Sequence, residues 1–271
     1  MTASTGPASS TTAGVLGAGP SQGATAPRGH QLRAVAAQAR TEVALTLSQS
    51  EQLLVSLGLP LILLVAFTYL PVGAVPAPRR VDFVAPGILA LAVMSTGMVA
   101  LGIGTSFDRS YGVLKRLGAT PLGRPGLIVA KTCSVLAIEA VQVVVIGSVA
   151  VALGWRPPAD PGPAIGAFLL ATVAFAGVGM LLAGTLPSHI VLGVANAAWV
   201  VLLLLGGMIF PLTLLPGGLR LVGEALPAAA LSTALFHTVG VGGGTPAWAW
   251  GVLAAWAVAA PAAAACCFRW E

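Results

Sequence analysis

The feature that most constrains this chain is a long run without charge: no Lys, Arg, Asp or Glu occurs between Asp160 and Arg220. Apolar runs of about 18 residues or more call for a bilayer rather than the interior of a soluble domain. The rest of the chain agrees, since 57% of its residues are hydrophobic, only 8% are charged and the mean hydropathy is +0.94. Soluble domains carry roughly 25% charged residues. The sequence therefore predicts a membrane protein.

Six segments have the roughly 18 to 25 apolar residues that a helical crossing of the bilayer requires. They are Leu53 to Leu70, Val84 to Ser106, Leu127 to Leu153, Pro163 to Leu186, Ile190 to Phe210 and Trp248 to Phe268. The fourth and fifth are divided at Leu186-Pro187-Ser188-His189, where a proline and polar groups interrupt the apolar run. We therefore predict an all-α membrane protein with six transmembrane helices.

The amino-terminal part of the chain differs in composition from the rest. Residues 1–30 are mostly Ser, Thr, Ala, Gly and Pro without an apolar block, which predicts a disordered tail rather than a secretory signal. The following stretch, HQLRAVAAQARTEVALTLSQSEQ, has apolar residues at helical spacing and charged residues elsewhere on the helical wheel. The apolar residues are Leu32, Val35, Ala36, Ala39, Val43 and Leu47. Two interpretations stay open: an amphipathic helix at the membrane interface, and a cytosolic extension of the first span.

A segment before the last span is neither a clear crossing nor an ordinary loop. It reads PLTLLPGGLRLVGEALPAAALSTALFHTVGVGGGTP, which is too polar and too interrupted by proline for a seventh crossing. It is also too apolar for a loop exposed to water. We predict that it re-enters the membrane from the outer face, provided that protein covers its backbone.

The distribution of Lys and Arg predicts the orientation, because cytoplasmic loops carry an excess of both. With the amino terminus in the cytoplasm, nine of these residues lie inside and four outside. The inner set is Arg28, Arg33, Arg40, Arg109, Lys115, Arg116, Arg124, Lys131 and Arg269; the outer set is Arg79, Arg80, Arg156 and Arg220. We therefore predict a multi-pass protein of the plasma membrane with both termini in the cytoplasm.

Several classes of function lack the residues that they need. The three cysteines have no C-x-x-C spacing and the three histidines are scattered, so no metal site is predicted. The net charge of +5 is not arranged as Lys/Arg stripes alternating with aromatic residues, so no nucleic acid is expected as a partner. An intramembrane enzyme acting on lipids needs clustered acids or histidines, whereas Asp82, Asp108 and Asp160 are isolated in the sequence.

A short basic segment between the second and third spans contrasts with this apolar background. FDRSYGVLKRLGATPLGRPGLIVAK contains six of the 21 formal charges in the chain. Its pattern predicts a short amphipathic helix with Tyr111, Val113, Leu114 and Leu117 on the apolar side, and Lys115 and Arg116 exposed. Gly118 and Pro121 would end this helix. The pattern alone leaves two explanations open, a topology signal and a docking element for a soluble partner.

Several motifs together resemble the membrane subunits of type-2 ABC exporters, in particular the drug and antibiotic efflux permeases of actinobacteria. They are YGVLKRLGATPLGRPGLIVAK, VDFVAPGILALAV, EAVQ followed by LGWRP, and GGMIFPLTLLPGGLRLVGEALP. The resemblance extends roughly from Leu32 to Phe268 and implies that residues 31–271 form the transmembrane domain of such an exporter.

In that family a cytoplasmic coupling helix after the second span fits into a groove on the ATPase subunit. The resemblance implies that this contact is made here by Tyr111, Gly112, Leu114, Lys115, Arg116 and Leu117. The sequence has no G-x-x-x-x-G-K-[ST] motif, so it has no catalytic residues for ATP hydrolysis and no cofactor of its own. The resemblance thus implies ATP and Mg²⁺ on a separate ABC ATPase subunit, a second permease subunit, identical or related, and a lipophilic substrate that is exported.

Three polar residues within the predicted spans are candidates for a translocation path. Glu139 and Gln142 are three residues apart and share one side of the third span, and Asn196 lies in the fifth. Intramembrane acids usually face a bundle interior or a cavity, but hydrogen bonds between helices explain such residues equally well. An alternative function is a proton-coupled secondary transporter that uses Glu139. Such transporters are often built from inverted repeats, and the basic segment has no counterpart after the fifth span.

Overall fold

The computed structural model describes residues 36–44, 48, 50–70, 77, 79–118, 123–157, 161–240 and 243–268, without the side chains of 50–55, 116–118 and 123–124. Throughout these ranges the regular secondary structure is helical and no strand occurs. The predicted all-α class is therefore confirmed for the described part of the chain. The predicted tail lies outside it, as do Leu32, Val35 and Leu47 of the proposed amphipathic helix.

Besides a single 3₁₀ turn at Leu212–Leu214, the chain forms an amino-terminal helical segment, residues 36–44, followed by nine helices. They are α1 (Ser50–Tyr69), α2 (Arg80–Ser110), α3 (Val113–Gly118), α4 (Gly123–Ala152), α5 (Gly162–Thr185), α6 (Ser188–Leu205), α7 (Gly217–Glu224), α8 (Pro227–Gly240) and α9 (Ala247–Cys267). A single π-helical turn, Ser95–Ala100, interrupts the α-helical hydrogen bonding of α2. The count of nine refers to the described ranges only.

Five of these helices are long and apolar enough to cross a membrane: α2, α4, α5, α6 and α9. In α1, the helix at the first predicted span, the described side chains form an apolar stretch over Ser56–Tyr69, and those of residues 50–55 lie outside the described part. Helices α7 and α8 are bent by 85° with respect to each other, the geometry of a broken span or a re-entrant loop. Six spans are reached when that bent pair counts as one. The predicted all-helical architecture is thus confirmed, with five to six helices of this kind among the described residues.

The helix boundaries follow the predicted interruptions closely, with one difference. Helix α5 ends at Thr185 and α6 begins at Ser188, on either side of the predicted break at Pro187. Helix α6 ends at Leu205, before the predicted end at Phe210. The reason is Gly207, whose φ of +68° lies in the left-handed region that is open mainly to glycine. An apolar run alone does not reveal such a turn.

Helix α2 forms the centre of the bundle, since 83% of its most apolar stretch is buried, against 11% for α6. Small residues allow α2, α5 and α9 to approach closely. Gly179 of α5 faces the backbone of Gly97 and Met98 in α2, and Gly177 faces the backbone around Pro261 in α9. Lipid-embedded helices commonly pack through such small residues. The core is therefore held by backbone proximity as well as by side-chain packing.

Side-chain bonds tie the connections together at each end of the bundle. At one end, Arg109 Nη2 donates to the carbonyl oxygen of Leu186 at 2.5 Å. At the other, Arg79 Nη1 donates to the carbonyl oxygen of Gly154 at 2.6 Å, and Trp155 Nε1 donates to that of Val239 at 3.0 Å. The alternation of ends agrees with consecutive antiparallel spans.

Candidate docking segment and transmembrane cavity

The basic segment continues directly from α2 at the Arg109 end of the bundle. Helix α2 runs to Ser110, and the chain then turns at Tyr111 and Gly112 into the short helix α3. Gly112 has a φ of +73°, a conformation that residues with a Cβ atom rarely adopt. We call residues 107–118 the docking segment. Its predicted short helix is confirmed as Val113–Gly118. The predicted helix end at Gly118 and Pro121 borders residues 119–122, which lie outside the described part.

The side chains of the docking segment divide differently from the predicted pattern. Leu114 is completely buried, in a cluster that includes Leu127, Met180 and Phe268. Tyr111 and Val113, which the helical pattern places on the same apolar side, are 76% and 42% exposed. The difference arises because Tyr111 lies in the turn before α3 and so is not on its helical wheel.

The exposed surface of the docking segment is partly aromatic. The rings of Phe107 and Tyr111 are stacked with their centroids 6.1 Å apart, and Lys115 of the following helix is exposed. The side chains of Arg116 and Leu117 lie outside the described part. Of the six candidate contact residues, the structure therefore places Tyr111 and Lys115 on the surface, Gly112 in the turn and Leu114 in the core.

An ion cluster fixes the start of the docking segment to its neighbours. Lys131 of α4 has its Nζ atom 2.8 Å from Glu42 Oε2 and 2.9 Å from Asp108 Oδ2. Glu42 belongs to residues 36–44, so this segment packs against the bundle with its acid facing inward. With the bond from Arg109 to Leu186, these contacts attach the docking segment directly to α4 and to the connection between α5 and α6, and through Lys131 to residues 36–44.

A cavity of about 420 Å³ lies among α1, α2 and α6. Its volume falls within the range of small-molecule sites, which is about 300–1,000 Å³. The residues that line it are Ser56, Leu59, Pro60, Leu91, Ser95, Thr96, Val99, Ala100, Asn196 and Trp199. The described lining residues are largely apolar, with uncharged polar groups and no ionisable side chain among them. Its polar wall is the π-helical turn of α2, a feature frequent at functional sites.

The three intramembrane candidates do not form one group. Asn196 lines the cavity and donates its amide Nδ2 to the Leu192 carbonyl of its own helix at 2.7 Å. Gln142 is buried behind the cavity wall, where its Oε1 accepts from Thr96 Oγ1 at 3.1 Å. Its Nε2 donates to the carbonyl oxygen of Ser56 at 3.3 Å. Gln142 therefore holds two residues of the wall in place.

Glu139 points to a different neighbour. Its Oε2 accepts a hydrogen bond from Thr172 of α5, and its Oε1 has no partner among the described residues. Glu139 does not line the cavity. The shared helical side predicted for Glu139 and Gln142 thus leads to contacts with separate helices.

Two features of the site are absent from the candidates chosen on sequence. Thr96 and Trp199 both line the cavity. Trp199 also donates its Nε1 to Ser95 Oγ at 2.7 Å. A lone Trp in an otherwise aliphatic span, three residues after Asn196, was the available signal. The role of Lys131 as an ion partner carries no sequence signal, because Glu42 is 89 residues away. Within the described ranges no group of three His, Cys, Asp or Glu residues is placed to hold a metal ion.

The helical bundle and its apolar helices define a multi-pass membrane protein. The family model of the ABC-2 type transporter matches residues 33–238, well over half of the 271 residues. The chain therefore belongs to the ABC-2 type transporter family and is the permease component of an ABC transporter. Membrane domains of this family carry no ATPase site of their own, and membership implies an ABC ATPase partner. A comparison with curated proteins finds no match.

Proposed function

We propose that this permease exports a lipophilic compound across a bacterial plasma membrane, driven by an ATPase subunit that binds the docking segment. The observation that carries the proposal is the exposed aromatic and basic surface of residues 107–118, attached to the bundle through Asp108 and Arg109 in a chain of the ABC-2 type transporter family. ATP and Mg²⁺ would be bound by the partner. Closure of the partner around ATP would displace the docking segment and, with it, α2 and α4.

The cavity among α1, α2 and α6 is the proposed substrate path. Its lining is apolar with a few uncharged hydrogen-bonding groups, which suits a neutral lipophilic compound such as a drug, an antibiotic or a lipid-like molecule. A charged substrate would lose its hydration there without a counter-ion, which is costly. The resemblance to actinobacterial efflux permeases supports outward transport rather than import.

A second permease subunit, identical or related, would pack against α6. This helix is largely exposed in the single chain, and Gly193 has no atom within 4 Å of the position where a Cβ would lie. Gly193 and Ala197 are four residues apart, the small-residue spacing that brings membrane helices together. Membrane lipid would cover the exposed apolar sides that remain. The excess of Lys and Arg near the docking segment supports a cytoplasmic location for that end and for both termini.

Co-purification tests the docking proposal. The chain is expressed with the ABC ATPase encoded beside its gene, and wild type is compared with the double variant Tyr111→Glu/Lys115→Glu. We expect ATPase binding to fall by about 30-fold or more, because a central interface residue contributes about 2 kcal/mol or more. The measurement is the ATPase retained per permease in detergent.

The matched control is Arg156→Glu, which alters an exposed basic residue at the opposite end of the bundle. It should leave ATPase binding unchanged. Protease accessibility checks that all variants insert in the same orientation. Equal ATPase binding by the double variant and wild type would contradict the proposal and leave residues 107–118 as a topology signal.

The alternative, proton-coupled transport through Glu139, makes the opposite prediction for one variant. Glu139→Gln keeps an oxygen that accepts from Thr172 but has no titratable carboxyl group. Because Glu139 lies off the cavity, we expect transport by Glu139→Gln in vesicles to stay near the wild-type rate, to require ATP, and to persist when a protonophore collapses the proton gradient. Loss of transport in Glu139→Gln together with sensitivity to the protonophore would favour the alternative.

A further inference from the structure

The ion cluster around Lys131 brings together three parts of the chain that are distant in sequence. Glu42 comes from residues 36–44, Asp108 from the start of the docking segment, and Lys131 from the first turns of α4. The Lys131 side chain is only 9% exposed, and its ammonium donates to both carboxylates. A single ammonium group thus links three separate elements of the chain.

The position of Lys131 differs from that of a lysine that only determines the orientation of a protein in the membrane. Such lysines extend their ammonium groups into water or the headgroup region, whereas Lys131 turns inward between two acids. A buried ion pair contributes little when compared with a well-packed apolar replacement, but removal of one partner is strongly destabilising. Loss of Lys131 would remove the cation that both carboxylates contact. Lys131 is therefore a direct link among the three elements.

We propose that Lys131 is a positioning residue that joins the amino-terminal segment 36–44 to the docking segment, so that the two move as one unit. The inference deepens the proposed function and rests on it, since the movement would come from the bound ATPase. Residues 36–44 lead towards α1, which lines the cavity. A displacement at Asp108 would pass through Lys131 and Glu42 to a wall of the substrate path.

The first test measures the link itself and needs no ATPase. Spin labels are placed at Ala37→Cys and Val113→Cys, both exposed, in the full chain with Cys133, Cys266 and Cys267 replaced by serine. The distance distribution between the labels should be narrow in the Lys131 parent and in Lys131→Arg. It should broaden in Lys131→Gln.

An exchange of charges distinguishes loss of the link between the two segments from a general loss of folding. Lys131→Glu/Glu42→Lys restores an ion pair between positions 42 and 131 but sets the new carboxylate at position 131 against Asp108, so we expect it to recover part of the narrowing that Lys131→Glu alone loses. Should Lys131→Gln fail to accumulate in the membrane, Asp108→Asn keeps the pair with Glu42 and should broaden the distribution partially.

The second test measures coupling in the permease–ATPase complex. Lys131→Gln should retain ATPase binding but transport about ten-fold more slowly, within the usual range for coupling between two sites. The control is Glu224→Gln, which breaks the Arg220–Glu224 pair, also 2.8 Å long but more exposed and within a single helix. That control should transport like wild type.

The outcomes separate the two proposals. An unchanged distance distribution in Lys131→Gln would overturn the inference, as would transport at the wild-type rate by that variant. Loss of ATPase binding with an unchanged distribution would also overturn it, since Lys131 would then belong to the docking contact. If the wild-type chain binds no ATPase, the proposed function fails, whereas the spin-label distances still decide whether Lys131 joins the two segments.

Discussion

Gly179→Val is expected to destabilise the bundle strongly, whereas Gly104→Val is expected to leave it intact. A Cβ atom at Gly179 would lie 2.8 Å from the carbonyl oxygens of both Gly97 and Met98. These are backbone atoms of α2, so no side-chain rotation relieves the clash. At Gly104 no heavy atom lies within 4 Å of the same position. Overpacking a core costs about 1–3 kcal/mol and occasionally more. We expect the cost of Gly179→Val to lie at the upper end of this range, because the clash is with backbone atoms.

Thermal unfolding of the detergent-purified variants measures this difference. Both substitutions place valine in a helix, so the intrinsic helix-propensity term is common to them and cancels in the comparison. We expect a clearly lower Tm for Gly179→Val, together with slower transport, because the clash lies at the π-helical turn that lines the cavity. Equal Tm values for the two variants would contradict the close packing of α2 and α5.

Most helix positions could be predicted from the sequence because they follow from hydropathy and chain breakers. The break at Pro187 follows from local stereochemistry that a sequence displays. The early end of α6 does not, since a Gly-Gly pair inside an apolar run does not show which glycine takes a positive φ. The burial of Leu114 opposite the exposed Tyr111 likewise depends on the turn at Gly112.

The candidate site was predicted less completely, because its contacts join distant parts of the chain. Helical spacing places Glu139 and Gln142 on one side of α4, but only packing shows that they contact α5 and α2 respectively. The bond from Trp199 to Ser95 spans 104 residues. Lys131 counted on sequence as a loop charge, and its burial between two acids follows from tertiary structure alone.

Leu114→Ala is expected to loosen the docking segment from the bundle. Leu114 is the only described side chain of α3 that is fully buried, and its cluster includes residues of α4, α5 and the end of α9. Truncation of a buried leucine to alanine costs about 2–5 kcal/mol, from lost burial and the cavity left behind. We expect a lower Tm for the permease alone and slower ATP-driven transport, because force on α3 would be absorbed by the loosened contact.

The neighbouring variant Val113→Ala distinguishes a residue that attaches α3 to the bundle from a residue that contacts the ATPase. Val113 is largely exposed, so its truncation should leave the Tm of the permease unchanged and weaken ATPase binding instead. Leu114→Ala should show the reverse order, with the Tm affected most. If Leu114→Ala kept the wild-type Tm and lost ATPase binding, Leu114 would lie in the interface itself. The resemblance to exporters implies that role, whereas its burial against Met180 and Phe268 supports an anchor that carries movement of the docking segment into α5 and α9.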